Sequence, residues 1–295
     1  MKNILVTGAS GMLGATLANY FKDFNVFGTA DNEYIKANFK YKRFDLLSEN
    51  YDELIDWSKP DIIIHCAAIT NGNLCDENPN LAINVNGLSI KKLLLATNNN
   101  VKIIYISTDA VFPSELHMAK EYDCVGPENI YGKSKELGEF FLNTSIDRSF
   151  IIIRTTIVGL NLNKKNTGFV EWIINSAKNK DELGLFNDVF FTPISIWDLA
   201  NEIKFLINSN NINSETVHIG GELCTKYTFG NRLLKALNIS TEKVIEASIL
   251  NFKERAKRCT DQSISSDLYK NKYKRKTPNL TQTINTIKKN YHEQN

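Results

Sequence analysis

The chain has little of what marks several broad protein classes. Its five cysteines (Cys66, Cys75, Cys124, Cys224 and Cys259) are odd in number, widely spaced and contain no CxxC pair. This argues against a disulfide framework and reads as reduced thiols in a cytoplasmic protein. The four histidines lack the spacing of metal ligands, so no metal site is expected. No apolar run is long enough to span a bilayer, and no signal peptide precedes the first expected strand. Neither sign of charge dominates: the formal net charge is +2, which gives no basis for a nucleic-acid or membrane partner. There is no internal repeat.

What remains is an ordinary soluble composition, 42% hydrophobic and 23% charged over 295 residues. That length is enough for one large α/β unit or two smaller ones. The most informative stretch is the first fourteen residues, MKNILVTGASGMLG. Ile4, Leu5 and Val6 form a short apolar run that reads as a buried strand. Gly8, Gly11 and Gly14 follow, and then Leu13, Leu17, Ala18 and Phe21 recur at helical spacing. Strand, glycine turn and helix together make a phosphate-binding unit. Gly8 allows the tight turn, Gly11 lets a pyrophosphate approach the backbone, and Gly14 lets the helix pack close to the sheet. The helix N-terminus offers amide N–H groups to the anion.

Strands alternate with helices from residue 1 to about 157, which predicts a doubly wound parallel sheet of the Rossmann type. Asn25 to Thr29 reads as the second strand, with Thr29 or Asp31 placed to read a ribose and Lys36 as an alternative for a 2′-phosphate. Arg43 to Leu47 reads as a short edge strand and turn. In it, Asp45 either bonds an adenine or caps the helix that starts near Asn50. Asp61 to Ala68 reads as a buried strand whose small final residues, Ala67 and Ala68, leave room for a cofactor, with His65 and Cys66 as core residues. Pro79 to Thr97 reads as one helix. Its interior Asn84 and Asn86 are poor helix formers, so at least one is expected to hold a contact near the site. Val101 to Ile106 delivers Ser107, Thr108 and Asp109 to the sheet's C-terminal edge, and Phe150 to Thr155 is a further strand. A nucleotide-binding unit is expected over 1–157. A smaller α/β substrate-binding unit is expected over 158–295, some of whose segments return to the first. The lysine-rich tail from Tyr269 to Lys289 reads as a solvated helix.

Tyr131 and Lys135, four residues apart, share one face of a helix. Beside a nicotinamide they make an acid–base pair, because an ammonium stabilises a phenolate and lowers its pKa. Thr108 or Ser107 can hold a substrate carbonyl for hydride attack, and the phenol can then protonate the alkoxide.

These stretches resemble an extended short-chain dehydrogenase/reductase, and within that superfamily the dTDP-4-dehydrorhamnose reductase family. The similarity is carried by TGASGMLG (Thr7 to Gly14), FDL (Phe44 to Leu46), PDIIIHCAA (Pro60 to Ala68), STDAVF (Ser107 to Phe112), YGKSKELGE (Tyr131 to Glu139), RTTIVG (Arg154 to Gly159) and FTPISIWDLA (Phe191 to Ala200). The resemblance implies an NADPH- or NADH-dependent reductase of a 4-keto-6-deoxy nucleotide sugar that serves surface polysaccharide synthesis, with a homodimer as the expected assembly. It implies Thr108, Tyr131 and Lys135 as the catalytic trio. Cofactor contacts are implied at Gly8, Gly11, Met12, Leu13, Asp45, Leu46, Ala67 and Ala68, and are expected also at Ser10, Asp31, Tyr131 and Lys135. Substrate contacts are implied at Ser107, Asp109, Ala110 and Ile157. At two of these the chain departs from the family, with Ala110 in place of a Tyr and Ile157 in place of a Trp. The expectation is one remodelled sugar-facing wall, or its refilling by Phe112, Phe190 or Phe191. The alternative readings are a nucleotide-sugar epimerase of the same superfamily and a non-catalytic NAD(P)-binding regulatory subunit.

Overall fold

In the computed structural model, the described residues are 1–32, 38–48, 50–163, 167–179, 181–209, 214–251 and 260–294. Lys36 and Cys259 lie outside them. The first half runs β1 (Asn3–Thr7), α1 (Met12–Tyr20), β2 (Asn25–Ala30), β3 (Lys40–Arg43), α2 (Tyr51–Ser58), β4 (Ile62–His65), α3 (Gly72–Glu77), α4 (Pro79–Ala82), α5 (Ser89–Ala96), β5 (Lys102–Thr108), α6 (Ile130–Asn143) and β6 (Phe150–Val158). The second runs α7 (Phe169–Lys178), β7 (Leu183–Phe186), β8 (Phe190–Phe191), β9 (Pro193–Ser195), α8 (Ile196–Asn208), β10 (Glu215–His218), β11 (Cys224–Thr225), α9 (Lys226–Ala236), β12 (Val244–Ala247), β13 (Asp261–Gln262), α10 (Asp267–Tyr273) and α11 (Leu280–Gln294).

The main sheet has the order β10-β6-β5-β4-β1-β2-β3, with β9 also pairing β6. Every one of these pairings is parallel. Side-chain alternation sorts the apolar strands into two layers. Ile4, Val6, Ile62, Ile64, Ile104, Ile151 and Ile153 face α1 and α8. Leu5, Ile63, Ile103, Tyr105 and Ile152 face α2, α5 and α6. β3, with the sequence KYKR, stays at the outer edge, where its charges reach solvent. The strand order reverses between β1 and β4, the switch point at whose strand C-termini a parallel sheet of this kind receives a ligand.

Several local readings are corrected. The edge strand ends at Arg43, so Phe44 to Leu47 is only the turn. The cap of α2 is Asn50, whose side chain accepts from the Glu53 amide, and not Asp45. The helix from Pro79 widens into a π turn over Ile83–Leu88 before resuming as α5. The tail is two helices and not a solvated one: Tyr269, Ile284 and Ile287 are buried. A second apolar core joins α7, α9 and α11 with β7. The stretch β9, α8 and β10 belongs to the main sheet, with α8 covering one face of it. Among the described residues, no helix is long and apolar enough to cross a membrane, and no cluster of His, Cys, Asp and Glu could hold a metal ion.

Candidate active site

The glycine turn follows directly from the strand. Gly8 takes a left-handed backbone (φ +68°), and a Cβ there would stand 2.7 Å from the Ala67 backbone. At Gly14 a Cβ would lie 2.1 Å from the Gly8 carbonyl oxygen, so glycine fixes the packing of α1 on the turn. Gly11 differs: a Cβ would meet only that same oxygen, at 3.3 Å. The protein itself therefore leaves the space in front of Gly11 open. Gly11 is also the cap of α1 and supplies no side chain to its first amides, which suits them to an anion. Ser10, Gly11 and Met12 are half-exposed around this turn, as are Ala67 and Ala68 across the crevice. The Leu13 side chain is buried in the core, so only its backbone faces the crevice.

At the far end of the crevice, Thr29 is unavailable to a ribose. It is buried, and its hydroxyl donates to the Lys42 carbonyl at 2.7 Å. Asp31 is exposed just beyond β2. Beside it stands Arg43, which donates to the Asp31 carbonyl at 2.7 Å. Sequence reading passed over this arginine because only the β2–β3 pairing, Ala30 opposite Arg43, brings it there. Asp45 is exposed and accepts from the Leu47 amide at 2.9 Å, while the Leu46 side chain enters the core.

Thr108, Tyr131 and Lys135 are brought together by three local devices. Asn129 caps α6, accepting from the Gly132 amide at 2.8 Å, and Asp76 accepts from the Ile130 amide at 3.2 Å. Gly132 has no Cβ because one would stand 2.2 Å from the Ala110 carbonyl oxygen. The first turn of α6 therefore rests on the turn after β5, next to Thr108. Gly138 likewise makes room for the Tyr105 hydroxyl. That hydroxyl lies 3.1 Å from the carbonyl oxygens of both Asn86 and Lys135 and shares its one proton between them. Asn86, in the π turn, is fully occupied. It accepts from the Ile69 amide at 2.7 Å, and it donates to the Ile69 carbonyl at 3.0 Å and to Ser134 Oγ at 2.9 Å. It thus ties the cofactor-side loop after β4 to the helix of Tyr131.

The electrostatics differ from the sequence expectation in one respect. The Lys135 amine sits over the Tyr105 ring, 4.0 Å from its centroid, and burial lowers it to about 7 despite the nearby Glu139. The Tyr131 phenol is not lowered but raised: burial comes first, with the charges of Asp109 and Cys75 adding to it and only the Thr108 hydrogen bond opposing. Without a ligand, Tyr131 is therefore a firmly protonated donor. Burial also raises the Asp109 carboxyl, against hydrogen bonds from Thr156, Thr108 and the Ala110 amide and the charge of Lys226. His65 and Cys66 are the inert groups expected. Burial holds the imidazole neutral, lowered to about 3, and pushes the thiol up to about 12.

The substrate-side residues divide. Asp109 lies between Thr108 and Thr156, and both hydroxyls donate to it. Ser107 points the other way and donates to Glu139. Ala110 is buried under α6, whereas Ile157 is partly buried against the core on the α1 side of the sheet. Thr156 and Ile157 alternate across β6, and it is Thr156 that turns toward Asp109. Phe112 and Phe191 are both buried. Phe112 packs under Arg154 and His218, and Phe191 lies beneath Lys226 at 3.5 Å. Phe190 is exposed, edge-on to His117. Lys226 was not singled out from sequence, because it follows β11 far from any motif.

Comparison with known proteins agrees with this architecture. The chain is 31% identical over 235 residues to a dTDP-4-dehydrorhamnose reductase of Aggregatibacter actinomycetemcomitans, covering 77% of this chain and 76% of that one. It is 27% identical to a probable low-salt glycan biosynthesis reductase, Agl14, of Haloferax volcanii, covering 83% of each. Its fold matches a crystal structure of dTDP-4-dehydrorhamnose reductase from Bacillus anthracis in complex with NADP. There the TM-score is 0.86 at 23% identity, with 97% of this chain and 99% of that one covered. A family model described as the RmlD substrate binding domain matches residues 1–293, and the chain belongs to that family.

Proposed function

We propose that the chain is an NAD(P)H-dependent oxidoreductase that reduces the keto group of a 4-keto-6-deoxy nucleotide sugar, in the synthesis of a surface polysaccharide precursor. The observation that carries this reading is the convergence of Thr108, Tyr131 and Lys135 at the strand edge beside the open space over Gly11. The names of the Aggregatibacter and Haloferax relatives support the substrate class and reaction type. The NADP complex of the Bacillus anthracis enzyme supports the cofactor class.

The residues fit a dinucleotide. The first amides of α1 and the bare Gly11 would hold its pyrophosphate, Asp31 and Arg43 would face its adenosine ribose, and Ala67 and Ala68 would leave room along the crevice. When bound, a reduced nicotinamide supplies the hydride. The chain's own residues supply the proton and the alignment. Thr108 turns its hydroxyl from Asp109 to the substrate carbonyl oxygen and polarises it. Tyr131, held protonated by its surroundings, donates its phenolic proton to the oxygen as negative charge develops there. The Lys135 ammonium then offsets the phenolate that remains. In this reading residues 1–157 carry the cofactor and residues 158–295 the sugar nucleotide, with β9, α8 and β10 built into the first unit.

The test is a panel of 4-keto-6-deoxy nucleotide sugars incubated with NADPH or NADH, followed by loss of reduced-nicotinamide absorbance and by product analysis. Stoichiometric oxidation of the cofactor is expected. Cofactor binding with no turnover of any panel member would favour the regulatory reading, and conversion without net cofactor oxidation would favour an epimerase.

A further inference from the structure

The helix α6 carries Tyr131, Lys135 and Glu139 at four-residue intervals, so the three share one face. Glu139 is buried and is gripped by a buried guanidinium. Arg154 Nε donates to its two oxygens at 3.0 and 3.2 Å, and Nη2 donates at 2.6 Å. Ser107 donates to the same carboxylate. Ser107 immediately precedes Thr108, and Arg154 precedes Thr155, which lies opposite Thr108 in the sheet. One carboxylate therefore fastens the helix of Tyr131 and Lys135 to both strands at the level of Thr108. The other end of the guanidinium reaches the loop that joins Thr108 to Tyr131. Nη1 lies 3.5 Å from the Glu121 carbonyl oxygen and 3.5 Å from His218 Nε2, and His218 Nδ1 is 3.1 Å from the Ala119 carbonyl oxygen.

We infer that Glu139 and Arg154 are the positioning pair of this site, setting the helix of Tyr131 and Lys135 against Thr108 and holding an anion one turn beyond the Lys135 amine. The inference rests on the reading of Tyr131 and Lys135 as the proton-handling pair. A buried ion pair adds little net stability over a well-packed apolar replacement, so stability alone gives a weak account of this one. Its placement relative to Lys135 gives a better one. The groups that act on the amine are Tyr105 from β5, whose ring it sits over, His65 at the end of β4, Cys66 just after it, and Glu139 from its own helix. Burial holds His65, Cys66, Tyr105 and Tyr131 uncharged. Glu139 is the leading charge that opposes the loss of the Lys135 proton. Behind it stand Arg154, Glu136, Glu121 and His218.

The test uses the full chain with 13C-labelled lysine side chains. The Lys135 signal is assigned by its loss in Lys135→Arg and titrated in the wild type, Glu139→Gln, Glu139→Asp and Glu139→Gln/Arg154→Met. Glu139→Gln should lower the Lys135 midpoint by about one pH unit, as removal of a close opposite charge does. The high-pH limb of kcat should move with it, and KM for NADPH should stay within about threefold, because the substituted residue is not a cofactor contact. Glu139→Asp keeps the charge and should recover most of the midpoint. If the Gln variant does not fold, the double variant, which buries no unpaired ion, carries the test and should still titrate below the wild type. An unmoved midpoint, with activity lowered equally at every pH, would overturn the inference and leave the pair a structural bridge. A moved midpoint in a protein that turns over no keto-sugar nucleotide would overturn the proposed activity and leave the pair's action on Lys135 standing.

Discussion

The Thr108 hydroxyl donates its proton to the Asp109 carboxylate at 2.9 Å while accepting from the Ala110 amide at 3.2 Å. A hydroxyl has one proton to give. Thr108 must therefore leave Asp109 to polarise a carbonyl, and Asp109 keeps a second donor, Thr156, when it does. The resting site is held by an exchange of acceptors, which frames the expectations that follow.

Tyr131→Phe keeps the ring and removes only the proton donor. Turnover should fall by roughly two to four orders of magnitude, the usual loss when a general acid is removed. Cofactor titration should be nearly unchanged. Surviving turnover would mean that another group delivers the proton.

Gly11→Val fills the space that the fold itself leaves open, since a Cβ there meets only the Gly8 carbonyl oxygen. The variant should keep its circular dichroism and melting temperature close to the wild type and lose NAD(P)H binding, read by quenching or enhancement of nicotinamide fluorescence. Undiminished binding would remove the glycine turn from the site.

Lys135 has its pKa depressed on folding, from 10.5 to about 7. The unfolded chain therefore binds the extra proton between those values, so stability rises with pH across that window and is lowest below it. Lys135→Met should abolish turnover yet raise the melting temperature at pH 6, by a gain on the order of a few kcal/mol at most. The gain should shrink as pH rises above 7 and vanish near 10.5. A melting-temperature difference that is flat across that range would contradict the buried, depressed amine.

Arg43 stands next to Asp31 at the end of β2, and the proposed binding mode puts both beside the adenosine ribose. Arg43→Ala should raise KM for NADPH about tenfold, as loss of a charge-assisted phosphate contact does. KM for NADH should change little, because that cofactor carries no 2′-phosphate. Equal effects on both cofactors would show that Arg43 supports the strand edge and not the phosphate.

Most of the framework was legible because it rests on short-range rules. The apolar runs around Ile4, Ile63, Ile104 and Ile152 are buried on both faces, and Tyr131 and Lys135 need only helical spacing to meet. What depended on tertiary pairing was not legible. Arg43 reaches Asp31 through strand register, and Lys226 reaches Asp109 from a different unit of the chain. Two further features were not legible for the same reason. The direction of the Tyr131 shift depends on how deeply the phenol is buried, and the placement of Ala110 and Ile157 depends on how the turn after β5 docks on α6 and on which face of β6 Ile157 takes. Neither quantity is written in a motif.

The strand β6 is paired on one side by β5 and on the other by β10 and β9, both of which come from after residue 190. A fragment ending at Ile157 would keep the glycine turn and the Tyr131–Lys135 helix, yet it would leave β6 as an open edge of the sequence FIIIRTTI with α8 stripped from its face. Such an edge is a template for another strand. Residues 1–157 are thus not a separable module. Expressed by themselves, they would self-associate through β6, so loss of the C-terminal half, by a frameshift or a protease, would yield aggregate and not a folded remnant.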